Sequence, residues 1–452
     1  MHPILKISAA AACVAIIPFI GGAAGAAATT GRDCHVGAYR LTGGGVLDIA
    51  PEGEKNLRWR TLDGRTGWLA PDAAGQWISH YGWTNDIDHI PVSFGACADG
   101  KVRFSGRTGR METLEVRETR FTSGGITLVG RLVLPRGSSA VPVMVIGHGG
   151  EKTPALVNYF KQRLYPAEGV GVFVFDKRGT GQSGGKYTQD FNLLAGDLAA
   201  AMTEARRLAG ARGSRFGYEA NSQGGWVLPL AAAKVPADFM IIGYGIAATP
   251  LVEDRTETMQ DLRAKGWGPD VLAKAREVTD ATATVMASRF RDGYPAFNTV
   301  VAKYRGEPWF KDLNGEFTGE MVKHSEAELR IGGPAQDEGT TWNVDAVGNL
   351  RRLQQPLLWL IAADDTQGAG PETPVALATL QAEGRPITVA MFDKTEHGIH
   401  LYRLGKNGER QETRYARDYF RSELEFARNG RLGLIYTSAD IWRPRARAPG
   451  AR

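Results

Sequence analysis

Apolar positions along this chain follow two rhythms separated by a change at Thr113. Over residues 29–112, short runs alternate in polarity, as in Gly45-Val46-Leu47-Asp48-Ile49, Leu57-Arg58-Trp59-Arg60 and Lys101-Val102-Arg103-Phe104. Turn signals such as Asp63-Gly64 and Asp99-Gly100 bound them. A period of two between turn residues predicts strands with one buried face, so this segment reads as a small all-β domain. Beyond it, Glu115–Phe121 and Ile126–Leu134 flank Ser123-Gly124-Gly125, a hairpin signal. Val143–Ile146, Val170–Phe175 and Phe239–Gly243 are continuous apolar runs, and Arg215–Ala220 is another short strand. Helices are predicted between them, over 155–167, 190–208 and 225–233. In the second, Phe191, Leu194, Leu198, Met202 and Ala205 recur at three- and four-residue steps along one face. Such strands alternating with amphipathic helices predict a parallel sheet covered on both faces, the α/β class.

Residues 246–350 interrupt this alternation. They are charged, helical in pattern and rich in large aromatics, among them Trp267, Phe290, Tyr294, Phe297, Trp309 and Trp342. Strands resume at Leu357–Ile361 and Ile387–Phe392, and a last amphipathic helix is predicted over Glu412–Ala427. The expected organisation is therefore a core in two parts, 113–245 and 351–435, with a helical cap inserted between two strands of one sheet. Residues 436–452 read as a basic, solvated tail because of Arg443, Arg445 and Arg447.

At 452 residues the chain exceeds one typical domain, and 43% hydrophobic with 23% charged residues is ordinary for a globular protein. A net charge of +5 with both signs interspersed offers no footprint for nucleic acid. Residues 1–28 read as a secretory signal: Lys6, an apolar run Ile7–Ile20, then the small residues Ala24-Gly25-Ala26-Ala27-Ala28. That run is below the length of a strongly apolar span, so an exported protein, periplasmic or extracellular, with no stable membrane span is expected. Beyond the signal the cysteines are Cys34 and Cys97, and in an oxidising compartment they are expected to form a disulfide.

The chemistry centres on Ala220-Asn221-Ser222-Gln223-Gly224, between a strand and a helix. A serine at such a strand–turn–helix junction is pushed out of the sheet on a cramped turn that demands small neighbours. Ala220 stands where glycine is usual. A serine nucleophile needs a base, and the base a carboxylate to hold its tautomer. Asp364-Asp365 follows the strand ending at Ile361, and His397 follows the strand ending at Phe392. Asp365, one residue further from its strand, better suits the loop offset, and His397 rather than His400 takes the base role. The donors for an oxyanion would be the backbone N–H of Gln223 and that of Gly150 in Gly147-His148-Gly149-Gly150, where His148 braces the loop. A competing pattern, Gly179-Thr180-Gly181-Gln182-Ser183-Gly184, lacks the acid at a second strand end that dinucleotide binding requires.

These pieces, with Asp176-Lys177-Arg178-Gly179-Thr180-Gly181-Gln182-Ser183, resemble the α/β-hydrolase superfamily, in particular bacterial carboxylesterases related to its prolyl-oligopeptidase-like and serine-aminopeptidase-like branches. The resemblance covers about residues 113–430 and leaves 29–112 outside. It implies an α/β-hydrolase fold with a helical cap. It further implies a serine hydrolase cleaving small-molecule carboxylic esters through Ser222, His397 and Asp365, without metal or organic cofactor. A peptidase or amidase would use the same triad, and an inactive binding protein on the same scaffold is the reading from another class. The aromatic cap is expected to set acyl and alcohol preference.

Overall fold

The computed structural model describes residues 31–367 and 370–444, so the signal expected over 1–28 and the end of the basic tail lie outside the described residues. The N-terminal segment folds as an eight-stranded antiparallel sheet between Gly37 and Met111. Its alternating positions bury Tyr39, Leu47, Ile49, Leu57, Trp59, Leu69, Val102 and Phe104 in one cluster. Cys34 and Cys97 are joined by a disulfide that ties the chain entering this sheet to the turn before its seventh strand. At a sequence separation of 63, the chain-entropy effect is worth roughly 4 kcal/mol. The paired variant Cys34→Ser/Cys97→Ser is expected to lose about that much in urea unfolding, and a loss below about 1 kcal/mol would refute it.

The second sheet has nine strands, labelled here in chain order: β1 (Glu115–Ser123), β2 (Ile126–Leu134), β3 (Val141–Ile146), β4 (Gly171–Phe175), β5 (Gly213–Asn221), β6 (Phe239–Gly243), β7 (Leu357–Ala362), β8 (Ile387–Phe392) and β9 (Asp440–Trp442). Their order across the sheet is β1-β2-β4-β3-β5-β6-β7-β8-β9. Strands β3 to β8 pair in parallel, while β1, β2 and β9 run antiparallel to their neighbours. Two apolar clusters cover the two faces. One is built on the helices Phe191–Ala209 and Gly224–Lys234, the other on Tyr419–Asn429. Parallel strands buried on both faces explain why their sequences are apolar throughout rather than alternating.

Three local expectations need correction. The helix predicted over 155–167 is broken into the turns Ala155–Asn158, Lys161–Leu164 and Pro166–Glu168, with Tyr159 extended between the first two and Pro166 opening the last. The helix predicted over Glu412–Ala427 begins only at Tyr419. Before it His400–Leu404 and Arg410–Tyr415 form a hairpin across Asn407-Gly408. The segment assigned to a solvated tail starts with β9, where Ile441 and Trp442 pair with Ala390 and Val389.

That hairpin docks the N-terminal sheet. Tyr415 N–H donates to the Gly64 carbonyl and Trp83 N–H to that of Glu412. Gly64, at φ +84°, and Gly82 sit so close to the hairpin backbone that a Cβ would lie within 2.4 Å of it, which is why the contact turns are glycine.

Between β6 and β7 run the helices Pro250–Ala264, Pro269–Ala287, Tyr294–Tyr304 and Glu326–Gln336, whose apolar faces form their own cluster. Phe290, Tyr294, Phe297, Trp309 and Trp342 are buried inside it, with Trp267 packed at its edge. The last helix before β7, Ala346–Arg352, instead buries Ala346 and Leu350 in the core, packed on the helices Gly224–Lys234 and Glu372–Ala382.

Candidate active site

Strand β5 ends at Asn221, and Ser222 takes φ +52° before the helix Gly224–Lys234 begins. A non-glycine residue in this left-handed region is held there by its surroundings. Ser222 N–H donates to the Gly243 carbonyl on β6, and its own carbonyl accepts from Gly225 N–H. Ala220 is completely buried, and its methyl group occupies the space that a Cβ on Gly224 or Gly147 would need, at 2.4 and 3.0 Å. The small residues of the elbow are thus redistributed: alanine before the serine is tolerated because Gly147 and Gly224 face it.

Asp365 and His397 stand in the loops that leave the carboxyl ends of β7 and β8. His397 Nδ1 lies 2.9 Å from Asp365 Oδ2 and 3.2 Å from Oδ1. Asp365 is 4% exposed, and its Oδ1 also accepts from Gln367 N–H. Asp364 turns away and accepts from Tyr402 OH at 2.7 Å. The Tyr244 ring packs edge-on against His397 at 4.7 Å. His400 lies 3.0 Å from Glu412 and packs against Trp83 of the N-terminal sheet. Ser222 and His397 line one cavity of about 720 Å³, without a direct hydrogen bond between them.

The loop after β3 runs along the elbow. Gly147 N–H donates to the Glu219 carbonyl on β5, and a Cβ on Gly149 would lie 3.8 Å from Ser222 Cβ. The Lys177 ammonium, almost fully buried, donates to the Gly149 carbonyl at 2.8 Å. In a trans peptide the N–H points opposite to the carbonyl, so Gly150 N–H is turned away from Lys177. His148 Nε2 lies 2.7 Å from the Phe175 carbonyl, which fixes the ring as an Nε2–H donor and ties the loop to β4.

Burial, with the nearby Lys177 charge, holds the His148 pKa down at about 4. An unfolded chain takes up this proton near pH 6.5, so between about 6.5 and 4 it binds more protons than the folded one. Stability from this group is therefore full above that window and falls by about 3 kcal/mol across it as pH drops. Urea unfolding should show a flatter acid limb in His148→Gln than in the parent; equal limbs would refute this.

Behind the elbow lies a buried charge cluster. Lys161 Nζ is 2.9 Å from Glu219 Oε1, 2.8 Å from Glu423 Oε2 and 3.2 Å from Tyr419 OH. Glu219 Oε1 also accepts from Asn221 Nδ2 at 2.7 Å, linking the cluster to the residue before Ser222. Burial would lower the Lys161 pKa, but Glu219 and Glu423 outweigh it and keep the ammonium charged.

The cap lines the cavity, but with few of the aromatics that the sequence shows. Its large aromatics pack on one another, and the wall it turns to the cavity carries Glu253, Glu257, Glu316 and Phe317. Glu253 and Glu257 stand four residues apart on one helix, a mildly unfavourable pair in water. Among the described residues, the potential metal ligands that come together are Cys34, His35 and Cys97, and those sulfurs are already joined to each other. No helix of the described residues is long and apolar enough to cross a membrane.

No family model and no curated protein matches the chain. Solved structures similar to it include an esterase of Pyrococcus furiosus, 14% identical, with 63% of this chain and 84% of that chain covered and a TM-score of 0.40. An acylaminoacyl peptidase of Pyrococcus horikoshii is 16% identical, with 84% and 55% covered and a TM-score of 0.41. A proline iminopeptidase of Mycobacterium smegmatis is 18% identical, with 69% and 97% covered and a TM-score of 0.40. The strand order β1-β2-β4-β3-β5-β6-β7-β8, with a serine elbow leaving β5 and an aspartate and a histidine following β7 and β8, is that of the α/β-hydrolase fold.

Proposed function

We propose that this protein is an exported serine hydrolase that cleaves carboxylic esters through Ser222, His397 and Asp365. The observation that carries the reading is the 2.9 Å contact of His397 Nδ1 with Asp365, in the cavity that Ser222 enters from its left-handed turn. Asp365 holds the tautomer that leaves His397 Nε2 free to accept the Ser222 proton. Apo nucleophile–base contacts are commonly loose and tighten around substrate. Ser222 Oγ attacks the acyl carbonyl while His397 takes its proton, and the C–O bond to the alcohol breaks as His397 returns that proton to the leaving oxygen. Water then enters by the same route, releasing the acid and regenerating Ser222. The N–H groups of Gln223 and Gly150 would hold the oxyanion, Lys177 turning the Gly149–Gly150 peptide for that purpose.

Hydrolysis of short-chain 4-nitrophenyl esters tests the activity, and paired variants test the acid. Asp365→Asn is expected to lower kcat by roughly 10³- to 10⁴-fold through the wrong histidine tautomer, and Asp364→Asn by less than about tenfold. The reverse ranking would reject the assignment. Relative rates on matched esters and amides decide between an esterase and a peptidase or amidase built on the same constellation.

A further inference from the structure

Gln223 and Gly150, the two residues whose N–H groups face the oxyanion in the reading above, are both tied to the side chains of Tyr187 and Gln189. Gln223 Nε2 donates to Gln189 Oε1, Gln189 Nε2 lies 2.5 Å from the Tyr187 hydroxyl, and that hydroxyl lies 2.5 Å from the Gly150 carbonyl oxygen. The far end fixes the direction of this chain. A backbone carbonyl can only accept, so the single hydroxyl proton of Tyr187 goes to Gly150 and its oxygen accepts from Gln189. Gln189 Oε1 is thereby turned to Gln223. Burial, then the charges of Glu338 and Glu151, push the Tyr187 pKa up, so the hydroxyl keeps its proton.

Gly150 has to be held from outside, because a residue without a Cβ does little to restrict its own backbone. Lys177 holds the peptide before it through the Gly149 carbonyl, and Tyr187 holds the peptide after it through the Gly150 carbonyl. With both planes pinned, the direction of the N–H between them is set. The Lys177 ammonium also lies over the Tyr187 ring, 4.8 Å from its centre. The end of the cap anchors the same segment: Gln189 N–H and Thr188 Oγ1 each donate to the Glu338 carbonyl at 2.8 Å, and Thr341 N–H donates to the Gln189 carbonyl.

Resting on the hydrolase reading above, we propose that Tyr187 and Gln189 are positioning residues of the oxyanion hole, a relay that holds the Gly150 and Gln223 N–H groups in register with each other. Full-length Tyr187→Phe and Gln189→Ala are compared with the parent on a short-chain 4-nitrophenyl ester and on hexyl trifluoromethyl ketone as inhibitor. Ser222 Oγ adds to the ketone carbon while its proton passes to His397, and the carbonyl oxygen takes the negative charge. The inhibitor therefore meets the donors that the transition state meets. Removing an oxyanion donor outright costs roughly 10²- to 10³-fold in kcat, and misdirecting one costs part of that. Each variant is expected to lower kcat by about 10- to 100-fold and to weaken the Ki of the ketone by a similar factor, with KM within about threefold of the parent. A merely structural role lowers kcat with the folded fraction and leaves Ki where it was, which overturns the proposal. So does a change below about threefold in both kcat and Ki, or a rise in KM at constant kcat, the mark of a substrate contact. Should one variant fail to fold, the other decides. Failure of the hydrolase reading has its own signature, a parent protein with neither ester turnover nor ketone binding. Turnover by the parent with kcat and Ki unmoved in the variants rejects the relay alone.

Discussion

Replacing Ser222 by alanine is expected to lower kcat/KM on 4-nitrophenyl esters by roughly 10⁴-fold or more while leaving the unfolding midpoint nearly unchanged. The size of the effect follows from the role. Without its oxygen no acyl-enzyme forms, and only the oxyanion donors and substrate binding remain to lower the barrier. The fold should tolerate the change because Ser222 is anchored through its backbone, N–H to Gly243 and carbonyl from Gly225. A structural serine would give the opposite pattern, with stability lost and residual activity proportional to the folded fraction. A fall below about tenfold in kcat/KM would therefore remove Ser222 from the chemistry.

Replacing Lys161 by methionine is expected to destabilise the protein by about 3–5 kcal/mol, the largest effect away from the catalytic groups. One buried ammonium serves two fully buried carboxylates, Glu219 and Glu423, within 2.9 Å of each. Its removal leaves both acids in a dry interior, where at least one must take up a proton. Adding Glu219→Gln to Lys161→Met should recover part of the loss, because it removes one of the stranded charges. Because Glu219 also holds Asn221, the single variant should lower kcat as well. Urea unfolding measures the first effect, and a shift below about 1 kcal/mol at unchanged m would show that the cluster is not held by charge.

The legible part of this molecule was the part governed by short-range pattern. Apolar runs placed β3 to β8 because a strand buried on both faces has little choice of residue. Ser222, Asp365 and His397 could be picked out because each follows such a run at a short offset, and the structure puts the last two in contact. The hairpin His400–Leu404 with Arg410–Tyr415 was missed although Asn407-Gly408 marks its turn, because its strands are short, polar and half exposed. Tyr159, extended, interrupts what reads as one helix, its hydroxyl donating to Glu151 in the loop after β3. The acidic wall was illegible for a different reason. A charged residue on a helix ordinarily marks a solvated face, and only the tertiary fold brings Glu316 to Glu253 and Glu257. The same holds for the cap aromatics, whose abundance suited either a substrate wall or a private core and which form the core.

The central claim is that Ser222 is an activated nucleophile, and reaction of the folded protein with a fluorophosphonate tests it most directly. Mass spectrometry of the digested product is expected to find a single adduct on the peptide containing Ser222, absent from Ser222→Ala and strongly slowed in His397→Ala. A folded protein that acquires no adduct, or acquires it on another serine, would contradict the account.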